Sequence, residues 1–276
     1  MNWYNKYMKK PEIIFIDLDD TALDGKENGK KAISDENAKV IKRLSQRIPV
    51  IVSTGRGDNE NTRRMLKKID LNTFIAWNGS KIVVNGELIK KSEIDRDVVQ
   101  ELFDQIVLEK AVIIFNSNFS HTSFVRNKLF QFLFRLTGRK IRVYKEFRNE
   151  FLAYKVLVWC PSKRKLQRLY KKWLVLFAGK LNVTLSGNKS NYIEITAANV
   201  SKGEAERYLC NLWNIDPLNA IHIGDSMNDA STKGVVGKVV AMQNSAEAFK
   251  NIADEISPYP CKNAGLSKYL SQFLED

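Results

Sequence analysis

The chain has 276 residues, 44% of them hydrophobic and 27% charged, ordinary globular proportions that exclude collagen-like and wholly disordered chains. Its formal charge is +13, and the whole excess lies in residues 81–190, which hold 22 basic and 9 acidic residues against 22 of each elsewhere. No apolar run is long enough to span a bilayer, and the segment MNWYNKYMKKPEIIF lacks the cleavage pattern of a secretory signal.

In chain order, PEIIFIDLDD begins as a buried strand, Ile13 to Ile16, and ends in carboxylates. Ser34 is an N-cap for a helix whose apolar positions Ala38, Ile41 and Leu44 recur at threes. IPVIVSTGR is a second strand that stops at Thr54-Gly55; Asp58 to Lys68 is the next helix and FIAWNGS another strand. The middle differs. VIIFNSN, FLAYKVLVW, LNVTLS and NYIEIT are expected strands, with KLFQFLFRL and KLQRLYKKWLVLF as amphipathic helices between them. The last stretch returns to the earlier pattern, with a helix through Ala205, Leu209 and Leu212 after Ser201, then the strands NAIHIGDS and KVVAM.

Alternating strands and helices at both ends predict an α/β fold, a doubly wound parallel-sheet (Rossmann-like) core. The strand-rich middle predicts an inserted α+β domain, because the stretch between Thr54 and Lys202 far exceeds one crossover unit. The expected boundaries are 1–81 with 189–276 for the core and 82–188 for the insertion. Cys160, Cys210 and Cys261 have neither a metal-ligand spacing nor a disulfide framework, so a cytoplasmic protein is expected.

Ligands of open α/β sheets bind at the C-terminal ends of the strands, and Asp17, Thr54 and Asp225 each follow such an end. Asp17 and Asp19, two residues apart in a loop, can serve as nucleophile and proton carrier; an acidic loop holding a structural cation fits the same pattern. Asp225 beside Asp17 offers oxygen ligands to a hard divalent cation, although Asp and Asn also cap helices. Thr54-Gly55-Arg56 at a strand–helix junction can bind a phosphoryl oxygen. Lys202 can neutralise one, or be an ordinary surface lysine.

In this order the four segments resemble the motifs of the haloacid dehalogenase superfamily, mostly magnesium-dependent phosphatases. IDLDDTAL matches the first motif at Asp17, Asp19 and Thr21, and IVSTGR the second at Thr54. SKGEAERYL matches the third at Lys202, and IGDSMNDA the fourth at Asp225, Asn228 and Asp229. AWNGSKIV, NYIEITAANVSKG and AMQNSAEAFKNIADEIS resemble the Cof-type subgroup, which carries an α/β cap where this chain has its insertion. The likeness covers the core nearly end to end, but the insertion matches only in placement and pattern. Asp20 and Gln243 stand where glycine is usual.

The resemblance implies that Asp17 is the nucleophile and Asp19 the acid/base. It further implies that Leu18, Thr54, Gly55, Arg56, Lys202 and Asn228 hold phosphate or substrate, and that Asp17, Asp19, Asp225 and Asp229 hold Mg2+. The expected activity is hydrolysis of small phosphorylated metabolites, sugar phosphates foremost, with selectivity in the cap. Asn78 and the loop Ser186 to Asn191 are substrate candidates. A phosphomutase of the same fold and a basic RNA-binding protein on an enzyme scaffold remain alternatives. The basic middle is read first as a solvated face, then as an attractor of anionic substrates, and last as a nucleic-acid or membrane surface. No membrane partner and no obligate protein partner is expected.

Overall fold

The computed structural model describes residues 10–27, 29–186 and 191–274. It divides at 89/90 and 201/202 into two compact units. The first begins with β1 (Ile13–Ile16), a short hairpin of β2 (Gly25–Glu27) and β3 (Lys30–Ala32), and α1 (Asp35–Ser45). Then follow β4 (Val50–Ser53), α2 (Glu60–Lys68), β5 (Phe74–Ala76), β6 (Lys81–Val84) and β7 (Glu87–Lys91). Ser34 caps α1 by accepting from the Asn37 amide at 3.2 Å. Carboxylates at Asp35 and Glu36 and cations at Lys42 and Arg43 suit the helix dipole. Helix α2 starts two residues later than the sequence predicts, because the cap is Asn59, which accepts from Thr62 N, while Asp58 pairs with Arg63.

The second unit contains α3 (Arg96–Glu109), β8 (Val112–Phe115), β9 (Ser123–Val125), α4 (Lys128–Leu136) and β10 (Arg142–Val143). It continues with β11 (Val156–Trp159), α5 (Lys163–Leu176), β12 (Leu181–Ser186) and β13 (Tyr192–Ala197). Its sheet runs β10-β9-β8-β11-β13-β12, antiparallel except for β9 with β10. Alternation sorts the side chains by face. Ile113, Phe115, Val156, Val158, Ile193 and Ile195 join the core formed with α3 and α5, where Trp173 is fully buried. Val112 and Ile114 point to the other face, where Phe130 and Phe134 of α4 pack.

The chain returns to the first unit with α6 (Lys202–Leu212), β14 (Ala220–Gly224), β15 (Lys238–Ala241), α7 (Glu247–Lys250), β16 (Glu255–Ile256) and α8 (Gly265–Leu270). The completed sheet has eight strands in the order β16-β15-β14-β1-β4-β5-β6-β7. Strand β1 is parallel to β14 on one side and β4 on the other, so the strand order reverses beside it. Ile14 and Ile16 face a core shared with α1, α2 and α8; Ile13 and Phe15 face one shared with α6 and α7. An isoleucine or phenylalanine fully buried in such a layer contributes about 1.5–3 kcal/mol.

The units divide later than the sequence places the domain boundaries. Strands β6 and β7 hydrogen-bond onto the first sheet, so residues 82–89 stay with it. Strand β13 lies inside the second sheet, which keeps its residues in the second unit. The boundary expected at 188/189 lies outside the described residues. Among the described residues, no helix is long and apolar enough to cross a membrane.

Helix α6 lies hard against the loop after β14: a Cβ added at Gly203 would sit 2.1 Å from the Ser231 carbonyl oxygen. Gly203→Ala is expected to cost about 1–3 kcal/mol of stability through overpacking. The measurement is the denaturant midpoint at unchanged m-value; an unaltered midpoint would contradict the packing described.

Candidate active site

Three side chains follow the C-terminal ends of adjacent parallel strands at the point where strand order reverses, the place where open α/β sheets bind ligands. Asp17 follows β1, its amide donating to Ile223 O of β14 at 2.9 Å. Thr54 follows β4, and Asp225 follows β14. All three are buried. The loop after β4 is tied to the turn after β5: Asn78 N donates to Thr54 O at 3.0 Å and Trp77 N to Arg56 O at 2.8 Å.

Lys202, the first residue of α6, is fully buried. Its ammonium lies 2.5 Å from Asp17 Oδ1 and 2.6 Å from Asp229 Oδ1. Burial alone would strip its proton, but the two carboxylates hold its pKa well above the usual lysine value. Lys202 is therefore an internal cation, not the surface lysine that sequence also allowed.

Asp229 is the buttress of this arrangement. Its Oδ2 accepts from the amides of Asp225 and Ser226, each at 3.0 Å. Its Oδ1 meets Lys202 and also His222 Nε2 at 3.0 Å. Burial would raise its pKa, but Lys202 and His222 overcome this and hold the carboxyl well below the usual range. Four donors thus occupy both its oxygens, which suits holding Lys202 and the loop. Gly224 is required beneath it, since a Cβ there would lie 2.3 Å from Asp229 Cγ.

Behind Asp229, His222 Nδ1 lies 2.8 Å from Glu206 Oε1 of α6. Both residues are fully buried. Burial pulls the imidazole pKa down, but Glu206 first and then Asp229 push it up to about 9. Sequence reading treats His222 as a packed sheet residue; it is packed, and it also joins two carboxylates. The available signal is a histidine on the strand leading to the fourth motif with a glutamate one turn into the preceding helix.

Asp225 is different again. Among the described residues its carboxylate accepts no hydrogen bond, and burial followed by repulsion from Asp17 pushes its pKa up to about 9. Asp17 itself is pushed up to about 7, burial outweighing the pull of Lys202. Oxygens of Asp17, Asp225 and Asp229 lie within 4.8 Å of one another. A buried all-oxygen cluster with an unpartnered carboxylate fits a hard divalent cation, and Asp17 and Asp225 have the oxygens left to hold one.

Asp19 faces Arg56, which grips it bidentately at 2.7 and 2.8 Å, and Lys31 approaches at 3.5 Å. Burial would raise its pKa, but Arg56 and then Lys31 lower it. Arg56, expected beside a phosphoryl group, is thus bound to the acid/base candidate. Lys31, from the β2–β3 hairpin, also pairs with Asp20 at 2.7 Å and is missed by sequence reasoning. Asp20 has φ 57°, a left-handed conformation that explains why glycine suits this position. Leu18 is buried in the core, so only its backbone is offered to the site. Thr54 Oγ1 accepts from Arg56 N at 3.2 Å. Asn228 donates to Asn78 Oδ1 at 3.1 Å, bringing two substrate candidates together. Residues 187–190 of the Ser186–Asn191 loop lie outside the described residues.

The family model for haloacid dehalogenase-like hydrolases matches residues 14–270. Phosphatase YwpJ of Bacillus subtilis is 27% identical, the match covering 89% of this chain and 94% of its own. HMP-PP phosphatase of Enterobacter sp. is 26% identical, covering 88% of this chain and 90% of its own. The fold is also that of the solved subclass IIB sugar phosphatase BT4131, with TM-score 0.75 at 18% identity over 95% of this chain and 98% of that one. The chain belongs to the haloacid dehalogenase-like hydrolase family and is an enzyme.

With no cation bound, Asp17 at about 7, Asp225 at about 9 and His222 at about 9 are buried groups that bind protons more tightly folded than unfolded and release them between neutral and mildly alkaline pH. The His222 contribution is fully present below the ordinary histidine pKa and lost as pH rises through about 9. The two raised carboxyls cost increasing stability over the same rise. The lowered groups, Asp19 and Asp229, lose their contributions only on the acid side. The thermal midpoint of chelator-treated protein should therefore fall by several degrees from about pH 6 to about pH 9. A midpoint that climbs through that window would refute the charge assignments.

Proposed function

We propose that the enzyme is a Mg2+-dependent phosphatase that hydrolyses small phosphorylated metabolites, sugar phosphates foremost, through an aspartyl-phosphate intermediate. The observation that carries this reading is Asp17 held at 2.5 Å by a buried Lys202 beside Asp225, whose carboxylate accepts no hydrogen bond among the described residues. A nucleophilic carboxylate, an internal cation and an oxygen-rich cation site together suit transfer of a dianionic phosphoryl group. The phosphatase names of the two relatives support hydrolytic release of phosphate, and the sugar phosphatase sharing the fold supports the substrate class.

Lys202 occupies Asp17 Oδ1, leaving the second oxygen to attack phosphorus. As the ester bond breaks, the leaving alkoxide takes a proton from Asp19. Asp19 then removes a proton from water, which attacks the aspartyl phosphate and releases phosphate and Asp17. Arg56 holds Asp19 in its ionised form, so the acid step requires that grip to loosen. An anionic substrate competes with Asp19 for Arg56 and Lys31, which returns the carboxyl toward its ordinary pKa. Thr54 and the backbone of Leu18 and Gly55 hold phosphoryl oxygens, while Asn228, linked to Asn78, meets the substrate. Asp17, Asp225 and the Asp19 carbonyl would hold Mg2+, with Asp229 fixing the loop of Asp225. When bound, Mg2+ offsets the charge gathered on these carboxylates and the phosphoryl oxygens. Selectivity among esters is assigned to the second unit, on the resemblance to capped relatives.

Asp17→Asn should lower turnover by at least roughly 10³-fold and abolish covalent phosphorylation while the fold persists, because an amide neither attacks nor balances Lys202. Turnover near the parent rate in a screen of sugar phosphates and aryl phosphates would sink the mechanism. Asp19→Asn should spare the first step with good leaving groups far more than with alkyl esters, since only the latter need the proton; burst kinetics on an aryl and a sugar phosphate make the comparison. Chelation should remove activity and Mg2+ restore it. Ca2+, which favours higher coordination and bidentate carboxylates, should inhibit. Full turnover in metal-stripped protein would contradict the cation's role.

A further inference from the structure

We infer that α4 of the second unit is an interfacial helix that docks on a membrane surface carrying anionic lipid headgroups. Leu129, Phe132, Leu133 and Leu136 follow one another at three, four and seven residues, the spacing of a single helix face. They are 62%, 56%, 47% and 69% exposed. The stripe is not a misplaced core face, because α4 is already seated by another one. Phe130 and Phe134 pack against the sheet, and Phe134 meets Trp159 edge-on at 6.3 Å between ring centres. The outer stripe is surplus to folding.

The charges around it name the partner. Residues 110–145 contain eight lysines and arginines and no aspartate or glutamate. Arg126, Lys128, Arg135, Arg139 and Lys140 are all exposed around the stripe. A second copy would bring two such basic segments face to face, and a polyanion such as RNA would leave the leucines and phenylalanine uncovered. An anionic bilayer answers both features: apolar side chains enter the acyl boundary while basic ones meet headgroups. Beside this packing, an apolar pocket of about 400 Å3 is lined by Val112, Ile114, Phe130, Leu133, Phe134 and Trp159 among others, so Leu133 stands at the inner margin of the stripe. The expectation of no membrane partner rests on the lack of a spanning segment, which a helix lying in the interface does not need.

The test is co-sedimentation of the full chain with phosphatidylcholine vesicles, with and without phosphatidylglycerol. Binding should require phosphatidylglycerol and weaken with salt. It should fall at least about tenfold in Phe132→Ser/Leu133→Ser and in Lys128→Gln/Arg135→Gln, because both apolar contact and charge contribute. These positions are exposed, and unchanged circular dichroism and thermal midpoint confirm folding without reference to phosphatase activity. No binding to phosphatidylglycerol vesicles, or equal binding to phosphatidylcholine alone, overturns the inference. So does a dimer in sedimentation analysis that Phe132→Ser/Leu133→Ser dissolves, or RNA retention that this variant leaves intact.

Discussion

A lysine ammonium with no access to water governs the first unit. Lys202 stays charged only because Asp17 and Asp229 meet it, one from the end of β1 and the other from the loop after β14. Breaking a buried pair by removing one partner costs about 3–5 kcal/mol, since the remaining charge is left uncompensated. The start of α6 is therefore fixed to two loops at once, and Gly203 lets the helix come close enough. The network then returns to its origin: Asp229 meets His222, His222 meets Glu206, and Glu206 lies on the same helix as Lys202. One helix supplies both ends of a closed ring of charges.

Within that ring and beside it, one residue type performs four tasks. Among the described residues, Asp229 has four donors and is held as a stable anion; Asp225 has none and resists ionising; Asp17 has one and lies between them; Asp19 is clamped by a guanidinium. Their environments, not their chemistry, separate them. The same logic explains why a cation suits this site. Crowded carboxylates short of hydrogen bonds can be neutralised by protons or by a metal, and in the mechanism proposed above only the metal would leave Asp17 free to attack.

Much of this was legible in the residues. Buried runs ending in Asp17, Thr54 and Asp225 marked strand ends, and a doubly wound sheet brings such ends together whatever the intervening length. Partners chosen by side-chain reach were not legible. Arg56 binds Asp19 across 37 positions, and nothing in TGR distinguishes a guanidinium aimed at a carboxylate from one aimed at phosphate. His222 alternates correctly for a sheet strand, so its pattern concealed two hydrogen bonds. Strand β7 reads ELIKK and is exposed throughout; a polar edge strand lacks the apolar signal that would have assigned it to the first sheet. In α4 helical spacing alone does not tell Phe130 and Phe134, which pack on the sheet, from Leu129, Phe132, Leu133 and Leu136, which are exposed.

The position of β1 has a bearing on how the protein is made. Its neighbours are β4, close in sequence, and β14, whose pairing begins at Ala220. On a ribosome, β1 waits with one side unpaired until residues more than two hundred positions later emerge. The second unit is contiguous, and its sheet and helices are complete before that strand appears. Domains fold as units while synthesis proceeds, so the inserted unit can be finished first and the enzyme's own centre last. Until then the edge of β1, four buried apolar residues long, is exposed to any other strand that can pair with it. For this chain the dangerous interval for aggregation is the time needed to translate its middle.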